Sequence, residues 1–123
     1  MEAIAVEHVT KRFDTVVAVS DLSLHVEQGG VFGLLGPNGA GKTTSLRMIM
    51  HILAPDEGAI RVFGQPASDR TQDLIGYLPE ERGLYARMKV REVLVFLAAL
   101  KGLSEAEASV RVHEWLERLG LAA

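Results

Sequence analysis

Gly36-Pro37-Asn38-Gly39-Ala40-Gly41-Lys42-Thr43-Thr44 is the stretch on which the reading of this chain turns. It satisfies the pattern G-x-x-x-x-G-K-[ST] at every fixed position. Ahead of it, Val31-Phe32-Gly33-Leu34-Leu35 has the length and apolar content of a buried parallel strand. Behind it, Leu46, Ile49, Met50 and Leu53 recur at the spacing of an amphipathic helix. Strand, glycine loop and helix in that order imply a cradle for phosphate. Gly36, Gly39 and Gly41 lack Cβ, so the backbone there is free to take positive φ and approach an anion. The N–H groups from about Gly39 to Thr44 then converge on one concavity, and the positive end of the following helix adds to the attraction. Lys42 offers a mobile point charge for the outer phosphates, and the Thr43 hydroxyl suits a phosphate-bound Mg²⁺.

The rest of the composition bounds the setting of that loop. At 123 residues the chain is long enough for one modest domain with a core. The formal charge is −3 with both signs interspersed, so no basic stripe points to nucleic acid as a partner. Val93–Leu100 is the longest apolar run and is too short to span a bilayer. No charged-then-apolar leader opens the sequence, so no signal peptide is expected. With no cysteine there is no thiolate chemistry, which fits a reducing, cytoplasmic location. The four histidines show no metal-ligand spacing, and no G-x-S-x-G nucleophile motif occurs.

Along the chain, residues 3 to 9 read as a strand, and Lys11-Arg12-Phe13-Asp14 as a polar break. Val16–Val26 reads as a second strand, because Leu22, Leu24 and Val26 alternate with Ser23 and His25. Gln28-Gly29-Gly30 is a tight turn feeding the strand before the loop. Pro55-Asp56-Glu57-Gly58 reads as a turn and Ala59–Gly64 as a short strand. One helical turn is expected around Asp69–Leu74, and Ile75-Gly76-Tyr77-Leu78 reads as a further strand of the parallel sheet, closed by Pro79. From Val90 the pattern is helical. Val93, Leu94, Leu97 and Leu100 form one stripe ended by Gly102, and Val112, Trp115, Leu116 and Leu119 another ended by Gly120. Between them Ser104-Glu105-Ala106-Glu107 is a capping box, and His113 is expected on the surface.

Two residues outside the loop admit more than one role. Phe13 is a lone aromatic beside charged residues; it either covers the edge of a small β-unit or offers a flat face to a nucleobase. Glu80, paired with Glu81 after a predicted parallel strand, is either an exposed acidic turn without a role or, because ligands of open α/β sheets gather at the carboxyl ends of strands, a residue near the nucleotide.

Taken together, these pieces resemble the ATP-binding domain of ABC transporters. The resemblance runs along the whole chain: Lys11-Arg12-Phe13, Ala18-Val19-Ser20-Asp21-Leu22-Ser23-Leu24, the loop Gly36–Thr44, Pro55-Asp56-Glu57-Gly58, and Ile75-Gly76-Tyr77-Leu78-Pro79-Glu80. The run Pro79–Tyr85 is similar, more narrowly, to sodium-efflux-type and related ABC-2 exporter ATPases. The resemblance implies an α/β fold of P-loop NTPase type, with an N-terminal antiparallel β-unit and the start of a helical subdomain. Residues 1–87 would be the β-unit and partial core, and residues 88–123 the helical start. It implies ATP and Mg²⁺ as cofactors, with Phe13 stacking on adenine, Ala18 and Gly36–Thr44 (Gly36, Pro37, Asn38, Gly39, Ala40, Gly41, Lys42, Thr43 and Thr44) around the nucleotide, and Thr43 on the metal. Glu80 stands where the family carries its Q-loop glutamine; a carboxylate there ligands Mg²⁺ directly or through water but donates no amide hydrogen bond.

The implied partners are a transmembrane permease subunit docking near Glu81–Met88 and a second ATP-binding domain joined head to tail. They would hold the chain on the inner face of the cell membrane. The family's LSGGQ-type signature, Walker B strand and switch histidine are not found in these residues. Phosphoryl transfer needs a positioned base and complete metal coordination, so this chain is expected to bind nucleotide without turning it over. The strand that pairs with Val31–Leu35 is not found either. That leaves an incomplete sheet with an unpaired apolar edge, and marginal stability, oligomerisation through that edge or dependence on a missing remainder is the corresponding expectation. Two other functions fit the same residues: a non-transport ABC ATPase of translation or repair, and a nucleotide-binding fragment without a role of its own.

Overall fold

The computed structural model describes residues 1–80 and 83–122. They form two compact units, Met1–Tyr77 and Leu78–Ala123. The first contains strands β1 (Glu2–Phe13) and β2 (Val16–Glu27), helix α1 (Lys42–Ile49), strands β3 (Glu57–Val62) and β4 (Gln65–Pro66), and the short helix α2 (Asp69–Gln72). The second contains helices α3 (Val90–Leu100) and α4 (Glu105–Arg118).

The sheet of the first unit has the order β2-β1-β3-β4, and every pair in it is antiparallel. β1 is longer than its sequence suggests. Lys11-Arg12-Phe13 continues the strand and the break falls at Asp14-Thr15, because acidic residues at the start of β3 meet the charges on β1. Arg12 Nη1 lies 2.7 Å from Glu57 Oε1, and Lys11 Nζ lies 3.4 Å from Asp56 Oδ1. Polar residues at a strand end are tolerated when cross-strand partners of opposite charge face them.

The β1–β2 register shifts at four places, and the two central bulges shape the part of the sheet over the core. Between Val6 and Val9 the β1 strand gains a residue on its neighbours, and between Val9 and Lys11 β2 gains one back. His8 and Asp21 take positive φ there, at 50° and 47°. The first bulge re-phases the strand so that Val9, rather than His8, follows Val6 into the core. The two bulged residues are tied together: His8 Nδ1 lies 2.8 Å from Asp21 Oδ1, and Asp21 N donates to Thr10 Oγ1 at 3.0 Å. Opposite them Gly58 is obligatory, since a Cβ there would stand 2.3 Å from His8 O.

α1 covers one face of the sheet. Val6, Val9, Val19, Ile60 and Val62 meet Met48 and Ile49 in one buried cluster, with Leu22, Leu24 and Leu53 at its margin. The inward face of the helix is therefore Ser45, Met48 and Ile49, and the predicted member Leu46 faces outward. Burial of these apolar surfaces stabilises the unit by roughly 25 cal/mol per Å² removed from water.

Two predicted strands are absent from the sheet. Val31–Leu35 and Ile75–Leu78 carry no strand pairing among the described residues, and Val31 and Leu35 are almost fully exposed, at 104% and 94%. The reason is physical: apolar composition favours a strand, but strand structure exists only as a ladder with a neighbour. The sheet is thus open, as the resemblance implied.

In the second unit α3 and α4 pack on each other through a narrow seam. Ala108, Val112 and Leu116 are the buried face of α4, and Val93 that of α3. Leu97, Leu100, Trp115 and Leu119 were expected in the apolar stripes but are exposed. A two-helix contact buries only the residues at the crossing, which is narrower than a full apolar stripe. Trp115 lies under the Arg118 guanidinium at 5.1 Å, and Tyr85 meets Phe96 edge to face with centroids 6.1 Å apart. The capping box forms as its residues predict: Glu107 N donates to Ser104 Oγ at 3.3 Å, and Ser104 N donates to Glu107 Oε2 at 3.2 Å. The Ser104 N–H, followed by the Ser104 hydroxyl, holds the Glu107 carboxyl below its usual range. Gly102 and Gly120 end the two helices in the left-handed conformation. His113 is on the surface, beside Glu117 and Arg91.

Candidate functional site: a phosphate loop seated on a β-hairpin

The glycine loop lies against β2. Gly41 takes φ +90° and closes to the point where a Cβ would stand 2.4 Å from Ala18 O and 3.1 Å from Val19 Cγ2. Only glycine fits that seat. Gly39, at φ +84°, has open space around it, so its requirement is conformational alone. Gly36 departs from the expectation: its φ is not positive, and its tight neighbour is Ala40 Cβ at 3.1 Å.

Between the hairpin and the loop is a cleft of about 430 Å³, lined among others by Val17, Ala18, Val19, Ala40, Gly41 and Lys42. α1 starts at its rim. Ser45 N donates to Gly41 O at 2.9 Å as the first bond of that helix, and Ser45 Oγ donates to the same carbonyl at 2.8 Å. The N–H groups of Lys42, Thr43 and Thr44 therefore lie ahead of the helical ladder, at the positive end of the helix dipole. The Lys42 side chain curls back so that its ammonium donates to Gly36 O, within the loop itself. A cation parked on a loop carbonyl is readily recruited by a stronger acceptor, and phosphate oxygens are stronger acceptors. Thr43 is exposed and does not line the cleft.

The geometry therefore joins Ala18 with Gly39–Lys42 in one cleft. Phe13 is not in its lining. It pairs with Val16 at the turn end of the hairpin, and its neighbour Arg12 pairs with Val17, which does line the cleft. Phe13 is 43% exposed and carries the Lys11 ammonium over its ring, 5.4 Å from the centroid. Glu80 is exposed and belongs to the second unit. Within the predicted docking segment, Glu81 and Arg82 lie outside the described residues; Leu84 and Tyr85 are exposed.

Asp56 was missed by the sequence reading. Its carboxylate accepts from Arg12 N at 2.7 Å, and this bond, ahead of the Lys11 ammonium, holds the Asp56 carboxyl below its usual range. The available signal was the acidic pair Asp56-Glu57 recurring against the basic pair Lys11-Arg12.

An antiparallel hairpin carrying a glycine loop that opens a helix, with a lysine at the helix start, defines the nucleotide-binding α/β class of P-loop type. Within that class the chain belongs to the ABC transporter family, whose sequence profile matches residues 19–123. It is 49% identical over 118 residues to the uncharacterized ABC transporter ATP-binding protein YhaQ of Bacillus subtilis (strain 168), covering 96% of this chain and 40% of that protein. It is 42% identical over 114 residues to the Nod factor export ATP-binding protein I of Burkholderia thailandensis, covering 90% of this chain and 38% of that protein. A solved structure of the ATP-binding subunit of an ABC transporter superposes with a TM-score of 0.78 at 30% identity, covering 97% of this chain and 51% of that one. The chain thus spans about 40% of the length of the curated relatives it matches. Among the described residues, no helix is long and apolar enough to cross a membrane.

Proposed function

We propose that this chain binds ATP with Mg²⁺ in the cleft between β2 and the glycine loop, as part of an ABC ATP-binding subunit that powers export. The observation that carries the reading is the seat of Gly41 on Ala18, which holds the loop open with its N–H groups and Lys42 at one rim. Lys42 is assigned to the β- and γ-phosphates. Thr43 is the metal-side hydroxyl, and Mg²⁺ when bound neutralises phosphate charge. The exposed apolar trio Phe13, Val16 and Val17 at the hairpin end supports Phe13 as the adenine platform.

The transport context rests on kinship. Relatives include Nod factor export proteins, and the Pro79–Tyr85 run is similar to exporter ATPases of the sodium-efflux and ABC-2 type. On that basis Glu80 takes the Q-loop place, with Thr43 and Glu80 the residues assigned to Mg²⁺. A permease subunit docks near residues 81–88, and a second ATP-binding domain completes the phosphate site. The protein would then sit in the cytoplasm, on the inner face of the membrane. Hydrolysis is assigned to the whole protein, because residues 1–123 hold no second carboxylate motif to position the attacking water.

The test is a thermal melt with and without Mg-ATP. At about 100 times the dissociation constant, ligand adds about 2.7 kcal/mol to the folded state. A rise in melting temperature that disappears in Lys42→Ala supports the reading, and an equal rise in both proteins refutes it. Steady ATP turnover by the 123-residue chain would overturn the assignment of hydrolysis to the whole protein.

A further inference from the structure

The sequence places Asp56 in a turn, yet the fold gives it three bonds to β1. Its N–H donates to Thr10 O at 2.9 Å, its Oδ2 accepts from Arg12 N at 2.7 Å, and its Oδ1 accepts from Lys11 Nζ at 3.4 Å. The first two carry the β1–β3 pairing past its last Cα pair, Thr10 with Glu57, using a carboxylate oxygen where a backbone carbonyl would otherwise stand. The last residues of β1 are thereby held in place although β3 has ended.

The third bond bears on Phe13. The Lys11 side chain is only 15% exposed, so its ammonium is confined between the Asp56 carboxylate and the Phe13 ring. An aromatic ring has two faces, and the ammonium occupies one of them. It draws π density toward itself, which makes the opposite face a better partner for an electron-rich purine.

We infer that Asp56 is a positioning residue for nucleobase binding, orienting Phe13 through Arg12 N and the Lys11 ammonium so that one ring face stays open to a purine. Asp56 also lies on the segment leading from α1 to β3, so a single side chain links the exit of the phosphate-loop helix to the base platform. The inference rests on the reading of Phe13 as that platform, and the experiment separates the two.

Calorimetric titrations with Mg-ATP and with Mg-tripolyphosphate, which lacks the base, give the contribution of the nucleoside as a ratio of affinities. Removing an aromatic under a stacked base costs about tenfold, so Phe13→Ala should weaken ATP by that factor and leave tripolyphosphate unchanged. Asp56→Ala should lower the same ratio by roughly three- to tenfold, and should add nothing in the Phe13→Ala background, since coupled residues are not additive. Should Asp56→Ala fail to fold, Asp56→Asn keeps an acceptor for Arg12 N while loosening Lys11, and is expected to lower the ratio by about threefold. Equal weakening of both ligands by the Asp56 variants, or no weakening, overturns the inference; the platform reading survives if Phe13→Ala still acts on ATP alone. No selective effect of Phe13→Ala overturns both.

Discussion

Placing a methyl group on Gly41 tests the geometry of the cleft most directly, because Gly39 supplies an internal control. Both residues have positive φ, so alanine at either position pays the left-handed backbone cost of about 1–2 kcal/mol. Only at Gly41 does the new Cβ meet a wall, 2.4 Å from Ala18 O and 3.1 Å from Val19 Cγ2. Forcing an atom into a packed position costs about 1–3 kcal/mol more. Gly41→Ala should therefore lose roughly 2–5 kcal/mol and Gly39→Ala roughly 1–2 kcal/mol. The stiffening of the unfolded chain by alanine is common to both variants and cancels in the difference. The probe must report on the first unit. The single tryptophan, Trp115, lies on α4, so its fluorescence follows the helical unit. Native-state hydrogen exchange at the Val19 and Met48 amides reads the hairpin and α1 directly. Losses equal within about 0.3 kcal/mol, inside the usual scatter of such comparisons, would refute the seat of Gly41 on β2.

Other expectations follow from the same contacts. Met48 is 1% exposed at the centre of the core, so Met48→Ala should destabilise the first unit by about 2–5 kcal/mol in urea denaturation followed by hydrogen exchange. Ser104→Ala removes the acceptor for Glu107 N and should lower the stability of α4 by about 1 kcal/mol, read from Trp115 fluorescence in urea; an unchanged midpoint contradicts the cap. The Asp56 carboxyl is lowered in the fold from an ordinary value of 3.8, chiefly by the Arg12 N–H. Its contribution is therefore present above that ordinary value and is lost as pH falls through the lowered one. Asp56→Asn should flatten the acid limb of a stability–pH curve and leave the neutral plateau nearly level; an unchanged acid limb counts against the bond.

The residues most legible in the sequence were those whose partners are close along the chain. The turns at Gly39 and Gly41, the Ser104–Glu107 cap and the helix stops at Gly102 and Gly120 each obey a local rule, and each stands in the fold. Partners far along the chain were less legible. Lys11-Arg12 looked like a break because the acids that neutralise them lie about 45 residues away. The bulges at His8 and Asp21 had no signal, since both put non-glycine residues at positive φ and cancel each other's register. Val31–Leu35 and Ile75–Leu78 have the composition of strands but lack a neighbour to bond among the described residues. The site was legible as a loop and not as a cleft: nothing local announces that Gly41 rests on the carbonyl of residue 18.

That contact leaves opposite marks on its two members. Position 41 tolerates no side chain, whereas position 18 contributes a carbonyl, which every amino acid supplies. In a library covering both positions, selection for nucleotide binding should collapse position 41 to a single residue. Position 18 should stay open to any side chain small enough for the cleft it lines. Half of the joint is thus written in the genetic alphabet and half in the backbone common to all proteins, so a search for paired substitutions would pass over it.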